Sequence, residues 1–204
     1  MHVKKSVTFV SMMTICLLLC SAVSQTAQPV ATTLSPEERE AALKLFQTTH
    51  DNFLKSISGL SQKQWTFKPA PDRWSVAEVA EHITVSETTI MGLIQHPLMQ
   101  SPAAPEKREQ VKGKDQLILE KVPDRSHKAQ APEMLRPTGR WATEADLAKV
   151  FEDARKANMD YIRTTNDDLR DHFFDHPAFG PWMGISGCCC WGHTAPGIRR
   201  RLKK

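Results

Sequence analysis

Eight histidines, three adjacent cysteines and two acids close to one of the histidines are the residues of this 204-residue chain that can do chemistry. A neutral imidazole binds a divalent metal through one ring nitrogen, or moves a proton near neutral pH. His172 and His176 stand four apart, a spacing that on a helix brings two rings to one ion. Pro177 follows them at once and Asp171 and Asp175 lie beside them, so this pair is expected at a solvated helix end. Cys188, Cys189 and Cys190 with His193 offer thiolates and an imidazole, but structural zinc sites leave two or more residues between paired cysteines, and three in a row suit that geometry poorly. Glu81 and Glu87, near His82, fit a general base or carboxylates that orient the ring. Carboxylates on helices are ordinarily exposed, and that is the expectation for both. His50 is expected in the core or lining a cavity, and His96 and His127 in loops. The sequence holds no glycine-rich phosphate loop and no nucleophile elbow.

The elements that must position these residues are helices with legible starts. Ser35-Pro36-Glu37-Glu38 reads as a cap, a proline in the first turn and a capping-box glutamate. Ala42, Leu45, Phe46, Thr49, Phe53 and Ile57 follow at helical spacing, and Gly59 ends the run. Ser75-Val76-Ala77-Glu78 repeats the capping box, with Trp74 and Val79 placed as a hydrophobic staple. Val76, Val79, Ile83, Ser86 and Ile90 form the second stripe, His82 lies beside it, and His96-Pro97 closes the helix. Thr143 opens a third helix predicted over 143–169, with Leu147, Val150, Ala154, Ala157 and Tyr161 on one face and Phe151, Ile162 and Leu169 widening it. Between the second and third helices, five prolines (102, 105, 123, 132 and 137) interrupt a long connection in which only Gln116 to Val122 suits a short helix. Leu135-Arg136-Pro137-Thr138-Gly139-Arg140-Trp141 carries enough anchors to dock on the helices, so the connection is expected to act as a cover.

The ends of the chain differ from its body. The net charge is +4, but Lys4, Lys5, Arg199, Arg200, Arg201, Lys203 and Lys204 lie at the termini. Without those seven, the 27 basic residues fall to 20, against 23 acidic ones. A mildly acidic body argues against a nucleic-acid surface. Cysteines occur only at 16, 20 and 188–190, which excludes a disulfide scaffold. Met1 to Lys5 is a basic leader, Ser6 to Ser24 is uncharged and rich in apolar residues, and Ala22 and Ser24 stand before a cut ahead of Gln25. These are the parts of a signal peptide over 1–24. The alternatives are an uncleaved membrane anchor, disfavoured by the Ser and Thr content, and lipoprotein processing at Cys20, disfavoured by Leu19.

The run Gln64-Trp65-Thr66-Phe67-Lys68-Pro69-Ala70-Pro71-Asp72-Arg73-Trp74-Ser75-Val76-Ala77-Glu78-Val79-Ala80-Glu81-His82-Ile83 resembles the DinB superfamily. A W-x-x-x-P loop precedes W-S-x-x-E at a helix start, with a histidine seven residues after the serine. His176-Pro177-Ala178-Phe179-Gly180 is similar to the segment before that family's fourth helix. The resemblance covers about 36 to 181. It implies an all-α four-helix bundle in which three histidines, one from helix two and two from helix four, hold a divalent metal such as zinc or nickel. On this chain the helix-two ligand maps to His82. An open coordination position would let water or a thiol be acidified. The alternative for His82 is a histidine at the edge of the core, satisfied by a neighbour's carbonyl.

An apolar fourth helix should follow Gly180, yet glycines at 184, 187 and 192 and Pro196 break any such helix. Read one base out of frame, Trp182/Met183 necessarily gives Asp and Met183/Gly184 gives Gly. Each step from Cys188 to Trp191 gives Leu. Permissible codons elsewhere complete an apolar helix with two histidines four apart on one face. The inference is a base lost near the Pro181 codon, leaving His82 as the one family ligand in frame and His193 flanked by Gly192 and Pro196. The expected organisation is a signal peptide over 1–24, a linker over 25–34, a DinB-like bundle over 35–181 with its fourth helix disrupted, and an out-of-frame tail over 182–204. The expected function is an exported, metal-binding DinB-like protein, related to hydrolases and thiol transferases and impaired in this chain. A non-catalytic, small-ligand-binding bundle of the envelope is the alternative. Its partners would be a small-molecule substrate and, as an option, a second copy in a homodimer, with no nucleic acid and no stable membrane span after processing.

Overall fold

Ser35 accepts a hydrogen bond from the Glu38 backbone while Glu38 answers to the Ser35 N–H, and helix α1 runs from there over Pro36–Ile57. The same reciprocal box starts α2, Gln62–Thr66, at Ser61 and Gln64, and α3, Val76–Leu93, at Ser75 and Glu78. Each box satisfies two of the backbone donors that a helix start leaves without partners. The computed structural model describes residues 33–121, 130–176 and 180–184. All of these belong to one unit, 31–204. The expected signal peptide, the expected linker up to residue 32, His127, His193, the three cysteines and nearly all of the expected tail lie outside the described residues.

Helix α3 does not stop at His96-Pro97. A π-helical turn, Ile94–Leu98, carries it on with Pro97 inside. Proline lacks the N–H of an α-helical bond, and a wide turn accommodates the loss. The connection that follows holds α4, Arg108–Val111, and α5, Lys114–Lys121, with 3₁₀ turns at Pro105–Lys107 and Glu133–Leu135. It is more helical than its prolines suggest.

Helix α6, Glu144–Thr164, is capped by Thr143, whose hydroxyl accepts from the Asp146 N–H. It ends five residues before the predicted Leu169. Its buried line is Leu147, Phe151, Arg155, Asn158 and Ile162; Leu147, Phe151 and Ile162 stand on the predicted face, but Ala157 of that face is exposed. The difference arises because the true line carries an arginine and an asparagine, which an apolar template skips.

Helix α6 packs against both α1 and α3. Two apolar clusters result. One joins Phe53 and Ile57 of α1, Trp65 of α2, Val76, Val79, Ala80 and Ile83 of α3, and Leu147 and Phe151 of α6. The other joins Phe46, Met91, Ile94, Leu98, Ile162 and Leu169 with Leu34. After α6 the chain forms an antiparallel hairpin, β1 Phe173–His176 with β2 Gly180–Met183, in which Phe174 lies opposite Trp182. Their rings meet edge to face at 5.6 Å. The boundary expected at 181 therefore falls inside β2. His176 belongs to a strand, and His172 precedes it, so neither sits at a helix end.

Candidate functional site

Trp74 and Ser75 set the start of α3, and through it the place of His82 two turns on. The Trp74 ring packs against the apolar cluster that contains Val79, as the staple requires. Its centroid lies 5.2 Å from that of the His82 imidazole, at 52° between planes. His82 is half-buried, and its Nδ1 lies 2.8 Å from the Leu135 carbonyl oxygen. A carbonyl can only accept, so Nδ1 carries the proton and, in the neutral ring, Nε2 carries the lone pair. A metal-bound histidine is commonly held by such a donation from its other ring nitrogen. The same bond also satisfies a core-edge histidine.

Leu135 belongs to the segment expected to dock, and it docks through an acid next to His82. The Glu81 carboxylate accepts from the backbone N–H groups of Thr138 at 2.7 Å, Gly139 at 2.8 Å and Arg140 at 3.3 Å. The Arg140 guanidinium adds a bond at 3.0 Å. Three successive backbone donors converge on one anion because Gly139 takes φ +80°, which folds the chain into an anion-binding nest. Leu135 is buried, and Trp141 packs on the first apolar cluster. Glu81 is 4% exposed, which corrects the expectation of a solvated carboxylate: backbone donors take the place of water around it.

Glu87 corrects that expectation too. It lies between the two apolar clusters, 1% exposed, with Arg155 at 2%, Asn158 at 4% and Thr49 at 7%. One terminal nitrogen of Arg155 donates to Glu87 Oε1. The other donates to the Phe46 carbonyl at 2.9 Å and to Thr49 Oγ1 at 2.7 Å. Asn158 Nδ2 donates to Glu87 Oε2 at 3.0 Å. The guanidinium also faces the rings of Phe46 and Phe151, at 4.9 and 5.1 Å from their centroids. Burial pushes the Glu87 carboxyl up against the pull of Arg155 and Asn158, and burial pushes Arg155 down. This layer is structural in form: its groups face one another.

His50 is half-buried and stacks on Phe151 at 5.8 Å between centroids. Its Nδ1 lies 2.9 Å from Asp51 Oδ1. With Gln47, Arg155, Lys156 and Met159 it lines an open groove of about 380 Å³ between α1 and α6. His172 Nδ1 lies 3.2 Å from Ser101 Oγ. That hydroxyl donates to the Leu98 carbonyl at 2.7 Å, so the serine is a satisfied hydroxyl and not an activated nucleophile. His96 is exposed in the π-helical turn. Among the described residues, no three His, Cys, Asp or Glu side chains are placed to hold a metal ion, and no helix is long and apolar enough to cross a membrane.

A family model described as the DinB superfamily matches residues 45–189. That span holds α2, α3 and α6 and most of α1, and runs past Pro181 into the tail. The chain is also 20% identical over 137 residues to the uncharacterized protein YuaE of Bacillus subtilis (strain 168), covering 67% of this chain and 80% of that protein.

Proposed function

The chain belongs to the DinB superfamily, and from that premise we propose that it descends from an exported, metal-binding bundle in which His82 is one ligand of a divalent metal such as zinc or nickel. The observation that supports this reading is the His82 ring itself. Its Nδ1–H is committed to the Leu135 carbonyl, so the lone pair sits on Nε2, the state a metal ligand requires. A bound metal would supply acidification of water or a thiol. The described residues offer His82 and no cluster of three ligands, so by themselves they do not complete the family's site. In this reading the other two histidines are lost with the frame after Pro181, and the chain as written is impaired.

Two measurements test the reading. The full chain, purified without chelators, should carry far less than one metal ion per molecule. The protein from a gene with one base restored near the Pro181 codon should carry close to one, and His82→Ala in that background should abolish it. Full retention of metal by the His82→Ala protein would remove His82 from the site. Resequencing the gene across Phe179 to Trp191 tests the frame directly. Export rests on the residues before Gln25, and a mature protein that begins at Gln25 is the expected result of N-terminal sequencing.

A second reading, a non-catalytic bundle that binds a small molecule, is favoured by one observation. A shallow, open groove of about 720 Å³ runs along α1, lined by Leu34, Arg39, Leu43, Lys44 and Met159. A metal-free protein that retains a small molecule through purification would favour it over the metal centre.

A further inference from the structure

Glu81 and His82 are consecutive residues of α3 that grip the same segment at two points. The hydrogen bonds that tie 135–140 to α3 end on these two: Leu135 on the imidazole, and Thr138, Gly139 and Arg140 on the carboxylate. The bond to His82 is a single one, from a half-buried ring to a carbonyl in a 3₁₀ turn. The grip of Glu81 has three backbone donors and a guanidinium on a carboxylate that is 4% exposed. Hydrogen bonds to an ionised acceptor are about twice as strong as neutral ones, so the clasp at Glu81 is the stronger of the two. We propose that Glu81 is the positioning residue for His82: by gathering the N–H groups of 138–140 it holds the Leu135 carbonyl where that carbonyl fixes which imidazole nitrogen bears the proton.

The consequence for the ring follows from the donor and acceptor inventory. With Leu135 held, a neutral His82 keeps its proton on Nδ1 and its lone pair on Nε2. With the segment released, the clasp no longer selects between the two tautomers. Glutamine at 81 has nearly the same shape, but its amide nitrogen brings donors to face donors, so at least one of the three N–H groups loses its acceptor. The inference deepens the reading of His82 as a ligand and rests on it for the use of the ring, but the clasp itself is measurable without metal.

The experiment uses the full chain with nitrogen-15-labelled histidine, at one fixed pH, and reads the ring nitrogens of His82 by NMR. The parent chain should show the Nδ1–H form. Glu81→Gln should raise the other tautomer about fivefold, the loss of roughly one hydrogen bond, and speed amide exchange at Thr138, Gly139 and Arg140 roughly tenfold. Glu87→Gln serves as a control: it disturbs a buried carboxylate of the same helix and should lower stability while leaving the His82 ring signals in place. Unchanged His82 signals in Glu81→Gln would overturn the proposal, as would an equal change in Glu87→Gln. If Glu81→Gln does not fold, Thr138→Pro removes one donor from the loop side with α3 untouched and should give the same change in smaller measure.

Addition of zinc alone separates this inference from the metal reading. A frame-restored protein whose His82 Nε2 signal ignores zinc, together with a tautomer shift in Glu81→Gln, leaves positioning standing and removes the ligand. An Nε2 that responds to zinc, together with a tautomer indifferent to Glu81→Gln, keeps the ligand and overturns the positioning.

Discussion

Arg155 of α6 and Glu87 of α3 form an ion pair at 2% and 1% exposure, in a polar layer that separates the two apolar clusters of the bundle. Along α1 the layer falls at Thr49, between Phe46 and Phe53. Along α3 it falls at Glu87, between Ile83 and Met91. On α6 it falls at Arg155 and Asn158, between Phe151 and Ile162. Such a layer fixes the axial register of three helices, because sliding any one by a turn would set a charge against hydrocarbon.

Removal of one partner leaves the other buried without its counter-charge, which typically costs about 3–5 kcal/mol. Arg155→Met should therefore be strongly destabilising in urea unfolding. The double substitution Arg155→Met with Glu87→Leu should recover a large part of the loss. A double variant no more stable than Arg155→Met alone would show that packing around the guanidinium, and not the charge of Glu87, sets the cost.

The same pair sets a pH dependence of opposite sign to that of the surface acids. Burial raises the Glu87 carboxyl above its usual value of 4.5. In the window above 4.5 the folded chain then binds more protons than the unfolded one. Its contribution is present below that value and is lost as pH rises through the folded value. Glu78 shifts the other way. Partial burial raises it, but the hydrogen bonds from Lys68 and the Ser75 backbone outweigh that and lower it. Its contribution is present above the usual value and lost as pH falls. Urea midpoints measured from pH 3 to 7 should therefore rise more steeply with pH in Glu87→Gln than in the parent chain. A parallel profile would remove Glu87 as a titrating group.

The helix starts were legible because each rests on local chemistry. Ser35 with Glu38 and Ser75 with Glu78 need only four residues to satisfy their donors, and the structure forms both boxes. The family was legible for a similar reason, in a run of residues around Trp74 and His82. The polar layer was not, because Glu87 and Arg155 look like ordinary helix charges until their place on the apolar line is counted. Glu87 stands four after Ile83, and Arg155 four after Phe151, and charges in register with a buried stripe on two helices were the available signal. The clasp at Glu81 depends on a residue 57 positions away, so no local pattern could give it. The end of α6 was overrun because Leu169 is buried, but it reaches the core from an irregular segment, and periodicity alone does not tell the two apart.

Ser75→Ala should cost about 1 kcal/mol in urea unfolding, the usual loss for a capping hydroxyl. Ser75 is 3% exposed, so water cannot replace the lost acceptor for the Glu78 N–H. Ser61→Ala removes the equivalent hydroxyl from the five-residue α2, where the bonds are exposed, and should cost less than half as much. Equal losses at the two sites would show that burial of the cap at Ser75 adds nothing.

Gly139 offers the most selective way to loosen the docked segment, because its backbone angle and not its size is what the clasp needs. A Cβ there would meet no atom within 4 Å, so a larger residue brings no clash. The φ of +80° is nonetheless a region that costs an L-residue about 1–2 kcal/mol. Asparagine tolerates it better than other side chains, so Gly139→Asn should be less harmful than Gly139→Val, which adds a β-branched side chain. Amide exchange at 138–140 should quicken in the same order, while the core of α1 and α6 keeps its protection. If the valine variant exchanges no faster than the parent, the nest does not depend on the left-handed residue, and the three N–H groups must be held toward Glu81 by the anchors at Leu135, Arg140 and Trp141.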